Sequence, residues 1–282
     1  MESIAKLKNI NKSLGDFSLK NVNLQIQKGY ITGIIGKNGA GKTTIIKTLL
    51  GMLQPDSGSV SVLGADMAAD AGDIKNSIGI VLGNGNFYAG LTLEQMKNII
   101  RRFYKNWDEA AYQGYVQKFG LPRDRKIKEL STGMRAKYNI SLALSHHAEL
   151  VVMDEPSSGL DPVAREELMD LLSEKISAEE FTVIFSTHIT SDLDRTADYI
   201  ILVDNGKILL DRPKDELLDA HRVVKGPVSL LDSTLMGHMV SHKKNSMNFE
   251  GLTTEAAALK KAYPGLLFEK PAIEDIMRFY VR

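Results

Sequence analysis

Three glycines, a lysine and a threonine stand at fixed spacing near the start of the sequence. Residues 36–43 read GKNGAGKT, which fits the pattern G-x-x-x-x-G-K-S/T. Glycines let the backbone turn so that successive N–H groups point inward and form an anion site. In such a loop the lysine reaches the β- and γ-phosphates of a nucleotide, and the hydroxyl that follows it binds Mg²⁺. The residues expected to form this phosphate site are Gly36, Asn38, Gly39, Ala40, Gly41, Lys42, Thr43 and Thr44.

Two adjacent carboxylates, Asp154 and Glu155, follow the apolar run LVVM. At the carboxyl end of a buried strand, the first acid can hold Mg²⁺ through water, and the second can orient or deprotonate an attacking water. His188 follows another apolar run, where its ring can bond a γ-phosphate and steady the catalytic carboxylate. We therefore expect catalysis from Glu155 and His188, with Thr43 and Asp154 as Mg²⁺ ligands.

These side chains need a scaffold that brings their segments together, and the sequence predicts an α/β sheet. Short apolar runs typical of buried strands alternate with longer helical patterns. A helix is expected from Lys42 to Leu53, and TLEQ at 92–95 has the form of a capping box. Strands are expected at 31–35, 78–82, 150–153, 182–185 and 199–203, the last followed by a tight turn at 204–206 and a run at 207–210.

The composition excludes several classes of protein. The chain has 282 residues, 43% hydrophobic and 25% charged, which suits one large domain with a small appendage. Lys plus Arg equals Asp plus Glu, 35 against 35, so no basic field favours a nucleic-acid partner. Cysteine is absent, which excludes disulfides and thiolate metal sites. No apolar run approaches the roughly 20 residues that span a bilayer, so we expect a soluble chain that reaches a membrane through a partner.

The C-terminal region and several histidines carry no chemistry that a pattern identifies. After about Asp219 the periodicity weakens into a tail, in which the polar residues 236–248 are expected to form a loop. Neither histidine pair has the spacing of a metal site. The histidines expected on the surface are His146, His147, His238 and His242.

Two further segments resemble motifs of the ATP-binding-cassette (ABC) ATPases. LSTGMR at 130–135 resembles the ABC signature L-S-G-G-Q followed by a basic residue, and SGLD at 158–161 resembles the D-loop. With the phosphate loop, the acidic pair and His188, these segments follow the family's order and spacing. The resemblance covers roughly residues 2–215. Other P-loop ATPases lack the signature and the D-loop, so the resemblance is specific.

The resemblance implies a P-loop NTPase fold of the α/β class with a RecA-like parallel core sheet. It also implies an N-terminal antiparallel β subdomain and an inserted helical subdomain at about 84–145. We expect an ATPase domain over residues 1–219 and a small C-terminal extension over residues 220–282.

The resemblance also implies a shared ATP site with ATP and Mg²⁺ as cofactors, because ABC ATPases pack two cassettes head to tail. Ser131 and the Gly133 N–H of one cassette are expected on the γ-phosphate of ATP held by Lys42 of the other, with Asp161 at the interface. Hydrolysis then opens the pair and drives a membrane partner. The expected partners are a transmembrane permease subunit and a second copy of the chain or a paralogous cassette, at the cytoplasmic face of the membrane.

Two positions near the nucleotide depart from the family. Gly83 stands where a glutamine usually contacts Mg²⁺ and the attacking water, and Asn84 is the candidate replacement. Leu14 stands where an aromatic ring usually stacks on adenine. Phe17 is the nearest ring, and either adenine stacking or a role in the core fits it.

The prediction of which kind of ABC protein this is depends on the residues of the motifs. These residues resemble those of bacterial exporter ATPases for antibiotics, peptides or lipids. Thr132 and Met134 replace the first glycine and the glutamine of the signature, so we expect a working but slow ATPase. An importer ATPase stays open, as does a regulatory switch cassette that binds ATP and hardly hydrolyses it. The block with Phe87, Tyr88 and residues 101–104 is expected to dock the membrane subunit, with ordinary packing as the alternative.

Overall fold

The computed structural model describes residues 2–69, 72–83, 87–178 and 181–281. The strands in these ranges are β1 (Ser3–Leu14), β2 (Phe17–Gln27), β3 (Ile31–Ile35), β4 (Ser57–Val62), β5 (Ala65–Asp66), β6 (Ile78–Leu82), β7 (Leu150–Asp154), β8 (Thr182–Thr187), β9 (Tyr199–Asp204), β10 (Lys207–Pro213), β11 (Arg222–Pro227), β12 (Ser241–Lys244), β13 (Asn248–Thr253) and β14 (Leu267–Glu269). The helices are α1 (Lys42–Leu49), α2 (Leu93–Ile100), α3 (Glu109–Lys118), α4 (Thr132–Ala143), α5 (Pro162–Ala178), α6 (Thr190–Thr196), α7 (Lys214–Ala220), α8 (Ser233–Gly237), α9 (Ala256–Ala262) and α10 (Ile273–Tyr280).

The central sheet has six strands in the order β10-β9-β3-β8-β7-β6. All neighbours are parallel except β10, which returns from β9 as a hairpin. Every residue of β3 and β8 is buried, as strands covered by helices on both faces require. The α/β class, the parallel core and the predicted core strands are therefore confirmed.

A second sheet, in the order β2-β1-β4-β5, is wholly antiparallel and confirms the predicted N-terminal β subdomain. Leu7 and Ile10 of its long strand β1 share a buried apolar cluster with Ile46 of α1 and Ile184 of β8. Helix α1 is thus packed between the two sheets. Burial on both sides fixes the helix that follows the phosphate loop.

Helix α1 ends at Leu49, so the predicted end at Leu53 is wrong. Gly51 has φ 65°, a left-handed conformation that glycine adopts without steric cost. The Gly51 N–H donates to the Thr48 carbonyl (3.0 Å) and the Met52 N–H donates to the Lys47 carbonyl (2.9 Å). This pair of bonds is a Schellman motif, which satisfies the last carbonyls and stops the helix.

Helices α2, α3 and α4 lie between β6 and β7 in the chain. The predicted capping box at the start of α2 is confirmed, because Thr92 and Gln95 each bond the other's backbone N–H. Tyr112 and Tyr138 fill the core of this block, and the Tyr138 hydroxyl donates to the Leu93 carbonyl (2.8 Å). The boundaries 84–145 stay a prediction.

The C-terminal region folds around a third sheet, in the order β12-β13-β11-β14. Residues 236–248 are not the expected loop, since they hold the end of α8 and the whole of β12. Strand β12 ends in Lys243 and Lys244, and lysines are common on edge strands because they discourage pairing with other chains. The absence of apolar alternation therefore marked an edge strand.

The third sheet shares a core with the rest of the chain. Val223 and Leu252 of the sheet and Phe279 of α10 belong to the same buried cluster as Leu193 and Leu217. A smaller cluster around Val224, with α8 and α9, covers the opposite face of the sheet. The predicted division between residues 219 and 220 stays a prediction.

The surface prediction is wrong for one of the four histidines. His146 is fully buried, with the Tyr104 ring centroid 3.8 Å from its own and Nε2 3.2 Å from the Ile78 carbonyl oxygen. Burial lowers the pKa of His146, because it penalises the charged ring. Its neighbour His147 is exposed and pairs with Asp108. Across the described ranges, the structure holds no helix long and apolar enough to cross a membrane.

Replacing Phe279 tests the shared core. Its side chain is 2% exposed, so Phe279→Ala should lower the free energy of unfolding by about 3–5 kcal/mol, measured by urea titration. Met247→Ala is the control, because Met247 is 75% exposed and should change stability by under about 0.5 kcal/mol. Equal losses for the two variants would contradict the shared core.

Candidate functional site

The phosphate loop lies between β3 and α1, against the turn that joins β9 to β10. A Cβ atom at Gly36 would lie 2.3 Å from the Val203 carbonyl oxygen, so only glycine lets the loop pass this close to β9. The Ala40 carbonyl accepts a hydrogen bond from the Gly206 N–H (2.9 Å). The two contacts fix both ends of the loop against the core sheet.

Lys42 opens α1 and is only 6% exposed. Its ammonium donates to the Gly36 carbonyl (2.8 Å) and lies 3.3 Å from Glu155 Oε1. A buried ammonium at the N-terminus of a helix, within reach of an anionic oxygen, is the arrangement that phosphate binding needs. The side chain is therefore already directed to the place where Glu155 lies.

Asp154 ends β7, and both of its carboxylate oxygens are held by hydroxyls. Thr43 Oγ1 donates to Oδ2 (2.8 Å) and Ser186 Oγ donates to Oδ1 (2.5 Å). Two of the predicted Mg²⁺ ligands, Thr43 and Asp154, thus lie side by side. The third, Asn84, lies outside the described residues.

Glu155 has φ 50°, an uncommon backbone conformation for a residue with a side chain. Its N–H donates to both the backbone oxygen (3.1 Å) and the hydroxyl (3.0 Å) of Ser186, which hold it there. His188 Nδ1 donates to Oε2 across 2.7 Å, while Oε1 faces Lys42. Strained residues fixed by their surroundings are concentrated at functional sites. The geometry thus brings the two predicted catalytic residues into contact.

A cavity of about 480 Å³ opens over the phosphate loop. Among the described residues of the loop, Gly36 and Ala40 do not line the cavity, because both are buried. Lys37 and Ser158 line it although sequence reasoning assigned neither to the site. Its lining residues are Phe17, Lys37, Asn38, Gly39, Gly41, Lys42, Thr43, Thr44, Glu155, Ser158 and His188.

Sequence reasoning also missed Ser186, and only the register of the strands could have found it. Ser186 is one of six consecutive buried residues in β8, so its type alone suggested core packing. Its partner in β7 is Asp154, and this pairing brings its hydroxyl to the acidic pair. The sequence alone carries no signal for this contact, since Ser186 and Asp154 are 32 residues apart.

Phe17 begins β2, and its role in adenine stacking stays a prediction. Its ring packs against the core cluster of the N-terminal sheet, and it also lines the cavity. An added Cβ at Gly41 would lie 2.8 Å from Phe17 Cζ, so the ring lies directly on the loop. The ring thus lies beside both the phosphate loop and the cavity.

The signature residues and the last residue of the D-loop lie apart from the cavity, among the residues that the structure describes. Ser131 caps α4 by accepting from the Met134 N–H (3.2 Å), which places Gly133 in the first turn of the helix. Asp161 caps α5 by accepting from the Ala164 N–H (3.0 Å), a bond that lowers the pKa of its carboxyl. In the described part of the chain, the first D-loop residue is the one member of these two segments that lines the cavity.

Gly83 leaves β6 at the place where the family has glutamine. Its N–H donates to the Asp154 carbonyl (3.2 Å), and its carbonyl accepts from Asn139 Nδ2 of α4 (3.4 Å). The backbone of Gly83 therefore joins the strand of the acidic pair to the signature helix. Gly83 itself supplies no side-chain amide to the cavity.

Known proteins resemble this chain in sequence. A family model described as ABC transporter matches residues 19–158. The bacitracin transport ATP-binding protein BcrA of Bacillus licheniformis is 31% identical over 225 residues, which cover 79% of this chain and 74% of that protein. The lantibiotic transport ATP-binding protein SrtF of Streptococcus pyogenes is 32% identical over 213 residues, which cover 74% of this chain and 91% of that protein.

Solved structures resemble it in fold. The ATP-binding subunit of an ABC transporter matches with a TM-score of 0.69 and 25% identity, over 77% of this chain and 92% of that one. A dimeric ATP-binding cassette in a post-hydrolysis state, bound to ADP and Pi, matches with a TM-score of 0.66 and 24% identity. That second match covers 74% of this chain and 98% of the other, and it bears on the fold alone.

Removing the Lys42 ammonium should abolish tight nucleotide binding. Lys42→Ala should weaken binding of a fluorescent ATP analogue about 100-fold or more, because hydrogen bonds to a charged group contribute about 1.5–3 kcal/mol each. Lys47→Ala is the matched control, since Lys47 is an exposed lysine on the same helix. Equal weakening in equilibrium titrations of the two variants would show that Lys42 does not hold the phosphates.

Proposed function

This chain belongs to the family of ABC transporter ATP-binding subunits, and we propose that it hydrolyses ATP to power export of a peptide, antibiotic or lipid-like substrate through a separate membrane subunit. The relatives named for bacitracin and lantibiotic transport support an antibiotic or peptide substrate. The observation that carries the catalytic part is the meeting of Lys42, Glu155 and His188 over the phosphate loop, at 3.3 and 2.7 Å.

The roles in hydrolysis follow from this geometry. Lys42 exchanges the Glu155 carboxylate for the β- and γ-phosphate oxygens, which have the same charge sign and hydrogen-bonding needs. Glu155 then orients the attacking water and accepts its proton. The water oxygen bonds to the γ-phosphorus as the bridging P–O bond to ADP breaks. His188 steadies Glu155 through Nδ1, and contact of Nε2 with a phosphate oxygen requires both ring nitrogens to be protonated.

The donor set fits Mg²⁺ as well as ATP. The Thr43 hydroxyl and the Asp154 carboxylate, which lie 2.8 Å apart, are the oxygen ligands that Mg²⁺ prefers. When bound, Mg²⁺ neutralises charge on the β- and γ-phosphates. Ser186 holds the second oxygen of Asp154, so the direction of that carboxylate is set by the protein itself.

The second half of the ATP site comes from another cassette. Ser131 and Gly133, at the N-terminus of α4, bind the γ-phosphate of ATP held by the partner cassette. Ser131 is exposed, Gly133 is partly exposed, and neither is among the described residues that line this chain's own cavity, which supports that assignment. Asp161 lies at the start of α5, where it contacts the other cassette. The partner is a second copy of the chain or a paralogue.

The helical block docks the membrane subunit at the cytoplasmic face of the membrane. Tyr88 and Phe103 are 68% and 74% exposed, which leaves both rings free to pack against another protein. The other rings of the block are packed internally, Phe87 on Tyr138 and Tyr104 on His146. Tyr88 and Phe103 are therefore the anchors of this surface.

One observation favours a second candidate function, an ATP-dependent switch with little hydrolysis. Gly83 leaves the site without the glutamine side chain that the family uses on Mg²⁺ and water. Steady-state ATP turnover by the purified chain, alone and with its membrane subunit, separates the two functions. Turnover that rises with the membrane subunit supports the transport ATPase, and ATP binding without turnover in either state supports the switch.

Neutralising Glu155 should separate ATP binding from hydrolysis. Glu155→Gln removes the proton acceptor and should lower kcat by about 10²–10⁴-fold, while a pair of cassettes forms and persists with MgATP. Gel filtration with saturating MgATP measures the pair, and phosphate release measures kcat.

Glu149→Gln is the control for that substitution. Glu149 is exposed at the opposite end of the same strand, so its variant should keep wild-type turnover and release the pair after hydrolysis. A Glu155→Gln chain that stays monomeric with MgATP, both alone and with the membrane subunit, would rule out the shared site.

Truncating the exposed ring of Phe103 tests the docking surface. Phe103→Ala should weaken binding to the membrane subunit about tenfold or more, because loss of a central aromatic anchor costs about 2 kcal/mol. ATP binding by the isolated chain should not change. Leu267→Ala is the control, an equally exposed apolar residue on the third sheet. Surface plasmon resonance against the reconstituted membrane subunit measures both variants, and equal affinities would refute this surface.

A further inference from the structure

Asp192 lies in α6 and is a buried carboxylate outside the cavity. It is 3% exposed, and burial raises the pKa of its carboxyl. Its nearest cation is distant for an ion pair, since Arg165 Nε lies 3.8 Å from Oδ1. Buried carboxylates without a close cation are costly and rare, so the contacts of this one define its role.

Both other contacts of the carboxylate are to hydroxyls of site segments. Ser157 Oγ donates to Oδ2 (2.5 Å), and Thr187 Oγ1 lies 3.4 Å from the same oxygen. Ser157 follows Glu155 by two residues, and Thr187 directly precedes His188. A single oxygen atom thus joins the segment that carries the acid to the segment that carries the histidine.

Arg165 extends this connection toward the D-loop. Its guanidinium lies near Asp192 and also donates from Nη2 to the Leu160 carbonyl across 3.5 Å. Leu160 directly precedes Asp161, which caps the helix that carries Arg165. The loop from Ser157 to Asp161 thus bonds Asp192 directly at its start, and near its end it contacts Arg165, which lies beside Asp192.

The geometry points to Asp192 as a positioning residue for ATP hydrolysis, which holds Ser157 and Thr187 together and so sets the contact between Glu155 and His188. The inference rests on the proposed function, because the contact that it sets is the catalytic one. Asp192 touches neither the phosphate loop nor Lys42 among the described contacts, so it acts on the chemical step and leaves nucleotide binding unchanged.

Kinetics of the chain bound to its membrane subunit test this role. Asp192→Ala should lower kcat about 10–100-fold, since a displacement of about 1 Å at a catalytic contact costs up to about 100-fold, with the Kd of an ATP analogue within about twofold of wild type. Asp192→Asn keeps an acceptor for both hydroxyls and should retain kcat within about threefold. Ser157→Ala should lower kcat, and the double variant Ser157→Ala/Asp192→Ala should be no slower than Asp192→Ala alone.

Ser141→Ala is the matched control, because Ser141 is as buried as Ser157. Among the described residues, its hydroxyl bonds only a carbonyl of its own helix. It should leave kcat within about twofold, and its effect should multiply with that of Asp192→Ala. Independent effects of Ser157→Ala and Asp192→Ala on kcat, or a loss in Asp192→Asn as large as in Asp192→Ala, would overturn the inference. If Asp192→Ala fails to fold, Asp192→Asn and Ser157→Ala still test the inference. Ser157→Ala should then lower kcat without changing the Kd of the ATP analogue, and Asp192→Asn should change neither by more than about threefold.

Hydrogen exchange separates failure of this inference from failure of the proposed function. Amides of residues 155–161 and 187–190 should exchange faster in Asp192→Ala than in wild type, while those of α1 keep their rates. This result does not need turnover. A wild-type chain without ATPase activity in any state would refute the proposed function alone, and unchanged exchange in both segments would refute the positioning role.

Discussion

In the central sheet, Ile35 of β3 lies opposite Thr187 of β8, and Ser186 of β8 lies opposite Asp154 of β7. A slip of one residue would turn every side chain of a strand to the other face of the sheet. The Ser186 hydroxyl would then lose both Asp154 and the N–H of Glu155. The register of three parallel strands therefore decides whether the phosphate loop, the acidic pair and the histidine meet. Continuous burial of β3 and β8 holds that register in place.

Much of this arrangement could be predicted from the sequence, because the strands that carry the site are short apolar runs and their polar residues stand directly after them. Asp154, Glu155 and His188 lie together for that reason, and the phosphate loop that follows β3 brings Lys42 to them. Contacts between side chains of different strands could not be predicted, since they depend on register, and Ser186 looked like a core residue. The roles of individual residues at the nucleotide stay predictions.

The errors have separate physical origins. The end of α1 depended on the left-handed backbone of Gly51, although the residues after Leu49 still fit a helical pattern. His146 is predicted at the surface because its pair fits no metal-site spacing, but the Tyr104 ring packs against it. Strand β12 had no apolar alternation to reveal it, because an edge strand with lysines needs none.

Helix α6 has contacts on two sides. Asp192 faces the segments of the acid and the histidine, and two residues later Asp194 accepts a long hydrogen bond from the Ile273 N–H at the start of α10 (3.4 Å). Helix α10 in turn packs in the core that the third sheet shares with the ATPase fold. A substitution in the C-terminal extension can therefore alter the rate of ATP hydrolysis by shifting one seven-residue helix, with every motif residue left intact. Paralogues with identical motifs and different C-terminal extensions would then hydrolyse ATP at different rates.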